Sequence, residues 1–241
     1  MSQSRFSSWV RSRSQGAILA AAAVTASWLA QADDAAAKKS YAGQNLAGQS
    51  FIGESLSETS FFKANLTSTN FSKATLTKSN IAGANIHLAR FDEAMCVQCN
   101  FQGSSGRWAK FNKTNLTGAY FKGATIRDTG FYNAKLAGAD FYGANLHHTF
   151  FDGSDLQKAR FYGATVSYGG FKNADLRNAN FYGANLSHAN LNGADLRGAS
   201  LVGADLRHAD LCNAKVDKTT TMHGADIREA KCGAAVRSGA G

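Results

Sequence analysis

The sequence predicts a stacked solenoid, a rod in which each unit completes its core only against the next. Three observations carry this. A large apolar residue returns at every fifth position from Tyr41 to Thr221, with departures only at Cys96, Gly106 and Thr221. Two residues before each one stands a small residue, a column that runs from Thr59 to Thr219 and fails only at Gln44, Gln49 and Glu54. A period of five fits neither a helix nor a plain strand, and a short fixed period marks a repeat architecture. Proline, finally, is absent from all 241 residues, where average usage would supply about a dozen. A ladder of stacked coils uses backbone N–H groups along its whole length, and proline removes one.

The repeating steps Ala144-Asn145-Leu146, Ala174-Asp175-Leu176, Ala194-Asp195-Leu196 and Ala204-Asp205-Leu206 resemble the pentapeptide-repeat family, and the frame covers about three quarters of the chain. The resemblance implies an all-β fold, a right-handed parallel quadrilateral β-helix with four five-residue sides per coil. Residues 41–221 would then form about nine coils, about 43 Å long at the usual strand spacing. In that frame the fifth-place residue and the small residue point inward, and the other three face solvent.

Each element follows from this frame. Phe returns every ten residues from Phe51 to Phe181, except at Ile81, and alternates with Leu, Ile or Val. On a four-sided coil this puts Phe on two opposite walls and aliphatics on the other two, which fills a narrow tube without voids. From Leu191 to Leu211 the Phe disappears, and the core should thin. Tyr41 to Glu54 matches half the pattern and is expected to cap the first coil. At Thr221-Met222 the frame slips by one place, so residues 222–241 read as an irregular coil and tail, with a disordered Gly-rich end after Cys232. The pattern is worst between Met95 and Trp108, where either a loop bulges out with Trp108 folded over the gap, or the core has a small cavity.

Residues 1–32 read as a signal peptide: Arg5, Arg11 and Arg13, then the apolar Ala17–Ala30, then small residues Ala30 and Ala32 before a cleavage point. The apolar run is shorter than the ~20 residues of a membrane span, so a membrane would be met only through an uncleaved segment. Residues 33–40 should be a mobile mature N-terminus. The expected location is outside the cytoplasm, periplasmic or secreted, or the thylakoid lumen in a photosynthetic host. The net charge of +9 falls to +6 once the three arginines of residues 1–32 are removed. There is no dense Lys/Arg run, which argues against a nucleic-acid partner.

Two cysteine pairs stand out. Cys96 and Cys99 have C-x-x-C spacing but occupy inward columns, so buried thiols come first and a disulfide second. Cys212 and Cys232 are 20 residues apart, one coil, within the Cα distance that a disulfide requires; in an exported chain they form the better candidate pair. Outward positions form ladders at 20-residue steps: Tyr142, Tyr162 and Tyr182 on one side, and His148, Tyr168, His188 and His208 on the next, with His147 beside the first. Exposed aromatics are candidate contact surfaces, and the His column is a candidate for a divalent metal or a response near pH 6. Repeat duplication alone also copies surface residues into ladders, and for the His column that reading is preferred.

No catalytic set, phosphate loop or cofactor motif appears, and an enzyme is not expected. The expected function is an exported rigid scaffold for an unidentified protein partner, with pairing of two copies through an end coil as an option. The resemblance also implies a second class, DNA mimics that bind gyrase. That role requires a strongly negative surface in the cytoplasm, and the charge and the leader argue against it.

Overall fold

The computed structural model describes residues 39–240. The chain winds into a right-handed, four-sided β-helix whose bridges are parallel and join residues 20 apart, from Ser40–Ser60 to Asp195–Lys215. Nine coils run from residue 41 to 221, and a further half coil follows.

One side, Leu66–Asn70, shows why the five-residue unit looks as it does. Leu66 N–H donates to Asn85 O of the next coil at 2.8 Å, and Ser68 N–H to His87 O at 2.8 Å. Asn70 N–H donates back to Gln49 O at 2.9 Å, and Thr69 N–H closes the turn onto Leu66 O at 3.0 Å. Four of five backbone N–H groups are thereby paired within the backbone. The fifth, Thr67 N–H, is caught by Asn65 Oδ1 at 3.2 Å. The same capture recurs from Asn80, Asp140, Asp175 and Asp205. Where Asn or Asp precedes the core residue in this way, it satisfies the one donor that the ladder leaves over.

Each turn needs positive φ at the second residue after the core position, the sign pattern of a type II turn. Glycine fills many of these places, but Lys63, Asn133, His148 and Tyr168 among others adopt φ between 55° and 58° there. Such strain costs about 1–2 kcal/mol per residue, so coil stacking must hold it in place.

The Phe alternation produces two ring stacks. Phe101, Phe121, Phe141, Phe161 and Phe181 stack at 4.7–4.8 Å on one wall. On the opposite wall Phe91, Phe111, Phe131, Phe151 and Phe171 stack at 4.7–5.1 Å. The two stacks meet edge-to-face, as for Phe141 and Phe151 at 5.6 Å, the arrangement aromatic quadrupoles favour. Ile81 breaks the first stack, and Leu191, Leu201 and Leu211 continue both walls fully buried. Ser or Thr at a small inward position donates its hydroxyl to a carbonyl 23 residues back, as Thr69 to Leu46 O at 2.9 Å and Thr114 to Phe91 O at 2.6 Å. Most of these polar atoms thus enter the core already paired; Ser104 Oγ, on the side before Gly106, is the exception, buried without a partner.

Four expectations are corrected. Tyr41–Glu54 is a regular first coil, not a separate cap: Asn45 and Ser55 already pair with Asn65 and Thr75. Its small positions hold Gln44, Gln49 and Glu54, which are exposed because no coil covers that end among the described residues. The slip falls before Thr221, since Asp195 pairs with Lys215 but Ser200 pairs with Thr221. That side has six residues, and Thr220, not Thr219, is the buried small residue, its hydroxyl reaching Leu196 O at 2.9 Å. The tail after Cys232 forms a helix over its described residues: α1 (Gly233–Gly239) folds over the last coil, buries Val236 and donates from Arg237 Nη2 to Ala225 O at 2.6 Å.

The fourth correction concerns Met95 to Trp108. No loop bulges out and Trp108 does not fold inward; it stays 46% exposed. Instead two sides flatten into β1 (Ser105–Arg107) and β2 (Thr125–Arg127), which pair in parallel with Gly106 opposite Ile126. Gly106 brings its backbone onto the coil before, where a Cβ would lie 2.8 Å from His87 N and from Ile86 C. The missing side chain is replaced by backbone.

Candidate interaction face

The side of the rod that contains Leu66, Ile86, Gly106, Ile126 and Leu146 concentrates most of the departures from a uniform solenoid. Its outer column, two residues after each core position, reads Leu88, Trp108, Asp128, His148, Tyr168, His188, His208 and, across the one-residue slip, Glu229. All eight have φ between 51° and 60°, so each side chain leaves the backbone in the same direction. Trp108 and the His column, noted separately in the sequence, are members of one column.

The column is a stack of rings. Tyr168, His188 and His208 lie face to face at 4.5 Å, and His148 tilts against Tyr168 at 5.2 Å. His208 Nδ1 is 3.1 Å from Glu229 Oε2, a contact the six-residue side makes by placing Glu229 rather than Arg228 next in register. Parallel stacked imidazoles point their nitrogens outward side by side, not toward a common centre. Among the described residues, no three His, Cys, Asp or Glu side chains converge to hold a metal ion.

The inner column of the same side, one residue after each core position, reads His87, Arg107, Arg127 and His147. Five of the six histidines lie on this side, counting His87, His147, His148, His188 and His208. Arg107 is committed: its Nε donates to Asp128 Oδ2 at 2.8 Å, its Nη2 lies 2.8 Å from the same oxygen, and its guanidinium lies 4.7 Å from the Trp108 ring centre. His147 Nδ1 is 2.8 Å from Ser167 Oγ. Burial and then the neighbouring His148 and Arg127 push the His147 pKa below its usual value. Arg107 and Arg127 were not among the residues singled out from sequence. Reading the chain in steps of 20 from His87 would have found them.

The Tyr ladder occupies the adjacent side. Tyr142, Tyr162 and Tyr182 stack at 5.2 and 5.1 Å, within 2° of parallel, and Lys122 Nζ lies 5.2 Å from the Tyr142 ring. The next column on that side is glycine from Gly83 to Gly203 and again at Gly224. The rings therefore stand proud on a smooth strip, their faces spent on one another and their edges and hydroxyls turned to solvent.

Both cysteine pairs are bonded, and no described cysteine is free. Cys212 and Cys232 join the last full coil to the start of α1, with Sγ atoms 2.04 Å apart and Cα atoms 5.1 Å apart. Cys96 and Cys99 bridge within one side, where the sequence favoured buried thiols. Cys99 Sγ lies 3.0 Å from Leu76 O, in the slot that Ser and Thr hydroxyls use on other coils. Since a disulfide sulfur carries no proton, that contact is a close approach and not a donated bond. Ala30 and Ala32, with the rest of the leader, lie outside the described residues. Among the described residues no helix is long and apolar enough to cross a membrane.

The class follows from this geometry: a continuous four-sided solenoid built from five-residue sides. The chain belongs to the pentapeptide repeat family, whose models match residues 45–77, 69–105 and 89–128 as pentapeptide repeats and 124–201 as a pentapeptide repeat region. Among solved structures it is similar to HetL, a pentapeptide repeat protein involved in heterocyst differentiation regulation from the cyanobacterium Nostoc sp. Strain PCC 7120. Identity there is 26% over 75% of this chain and 88% of that one, with a TM-score of 0.51. It is also similar in fold to a trypsin-treated variant of QnrB1, a plasmid-mediated fluoroquinolone resistance protein. That match has 16% identity over 78% of this chain and 91% of that one, with a TM-score of 0.52. No curated protein matches the sequence. Proteins of this family are generally structural or binding proteins, and among the described residues nothing indicates catalysis.

Proposed function

We propose that this chain is an exported, non-enzymatic scaffold: a rigid rod that offers two adjacent sides to a protein partner in the envelope or in a lumen. The observation that carries the reading is the register of exposed rings. Tyr142–Tyr162–Tyr182 and Tyr168–His188–His208 stack on neighbouring sides of the rod, with Trp108 in the same outer column as the second set. Rings already held in place lose little side-chain freedom on binding, which is how preorganised aromatic surfaces gain affinity. Two disulfides support an oxidising compartment.

The DNA-mimic reading lacks the surface it needs. Asp155, Asp175 and Asp195 do line up in register, yet Arg177 and Arg197 pair with Asp175 and Asp195 at 2.6 and 2.5 Å. Asp128, Asp140, Asp205 and Asp226 each pair with an arginine as well. Carboxylates neutralised in place do not build the continuous negative field that mimicry of a duplex requires.

The test is the intact mass of the native protein in separated cell fractions, with thiol alkylation under non-reducing conditions. A periplasmic or lumenal species starting at Asp33 with unalkylated cysteines supports the scaffold. A full-length cytoplasmic species with four free thiols overturns it, and gyrase inhibition then becomes the assay to run.

A further inference from the structure

We propose that the flattened region of the His-bearing side binds an oxyanion through Arg127 and the hydroxyls of Ser105 and Thr125. This goes beyond the scaffold reading and does not depend on it.

The site is made by the loss of a turn. Where β1 and β2 replace the usual corner, the surface sinks and leaves an open depression of about 490 Å³ lined by Asn85, His87, Ser105, Arg107, Thr125 and Arg127, with Gly106 as its floor. A side chain at Gly106 would fill that floor only by striking the backbone of Ile86 and His87 at 2.8 Å. None of the lining residues is acidic. Arg107 and Arg127 are direct cross-strand partners, a juxtaposition of like charges that is unfavourable without a counter-charge. Asp128 supplies one counter-charge and spends it on Arg107.

Arg127 is the residue left over. Its Nε is buried and has no hydrogen-bond partner, a condition that costs free energy and is rare in a finished fold. A guanidinium presents a rigid fork that matches the oxygens of carboxylate, sulfate or phosphate. Ser105 and Thr125, in register one coil apart, add hydroxyl donors at the strand ends. His87 and His147 flank the site along the inner column. The groups facing the anion are therefore Arg107, Arg127, Asp128, His87 and His147, with His148 behind Asp128. The two arginines outnumber the one carboxylate among them.

The experiment is a sulfate titration of the full-length protein followed by amide and arginine Nε–H resonances in NMR, at constant ionic strength held with chloride. Acetate and inorganic phosphate form parallel arms. The expected result is a saturable shift confined to residues 105–107 and 125–127 and to Arg127 Nε–H. Arg127→Gln should weaken binding roughly tenfold or more, and Arg207→Gln, four coils away on the same column, should leave it unchanged. A preference for sulfate and phosphate over acetate assigns the site to a tetrahedral group, and a preference for acetate assigns it to a carboxylate. The proposal is overturned if no resonance shifts up to about 50 mM sulfate, weaker than millimolar affinity, or if Arg90, Arg160 and Arg207 respond as strongly as Arg127.

Discussion

Phe141→Ala tests whether the ring stacks hold the rod together. Phe141 is fully buried, stacks on Phe121 and Phe161 at 4.8 and 4.7 Å, and meets Phe131 and Phe151 edge-on at 6.2 and 5.6 Å. Truncation removes four ring contacts and leaves a void that the tube cannot close, since each neighbour is itself pinned by a further ring. The expected loss is about 3–5 kcal/mol. Phe141→Leu should cost less than half of that, because the same wall already carries Ile81 and Leu201 without interruption of the coils. Each coil touches only its neighbours, so the damage should be local. Hydrogen exchange should show protection falling in residues 121–180 and persisting in residues 61–80. Urea denaturation followed by far-UV circular dichroism gives the magnitude. A loss below about 1 kcal/mol, equal losses for the two variants, or a uniform fall in protection would refute the reasoning.

Three further outcomes follow from the same geometry. Cys212→Ser with Cys232→Ser should free α1 and the last half coil at a cost of about 3 kcal/mol for a loop of this length, seen as faster tryptic cleavage at Lys215, Lys218 and Arg228 with the preceding coils still resistant. Gly106→Ala should destabilise by about 1–3 kcal/mol through overpacking, whereas Gly103→Ala, with φ +63° and nothing within 4 Å of a new Cβ, should show only the roughly 1 kcal/mol strain of its backbone; equal melting shifts would contradict this. The Arg228 side chain holds the Asp226 carboxyl down at about 2. Since the folded value lies below the unfolded one, its contribution is present above about pH 4 and is lost as the pH falls through about 2. Carboxyl carbon shifts should locate that titration, and Arg228→Gln should move it upward.

The sequence made the core legible because the inward columns obey one rule. Each inward place needs a large apolar side chain stacked on the ones 20 residues away, and each small residue must leave room for it, so any other spacing would bury polar groups or open voids. The corners were less legible. Whether a side turns or flattens depends on how closely Gly106 approaches Ile86 and His87, a contact 20 residues apart that no local pattern states. The six-residue side was visible as a slip, but its position was misread by one residue because Thr219 and Thr220 are chemically alike and only one reaches Leu196 O. Asp217 marks the difference, accepting from Gly198 N–H at 3.3 Å and Thr219 N–H at 2.9 Å. The candidate site was half visible. Its aromatic members announced themselves at 20-residue intervals, but Arg127 drew notice only when its Nε emerged buried and unpaired.

The six-residue side has one more consequence, for the tolerance of this architecture to sequence error. In an ordinary strand a one-residue insertion turns every later side chain onto the opposite face. Here the extra residue is absorbed at a single corner, after which pairing resumes at a step of 21, with Asp205 against Asp226 and Asp210 against Lys231. Met222 and Ala225 still face the core. A polymer that resets its phase at each corner can accept small insertions one side at a time, and every column beyond the accident keeps its neighbours.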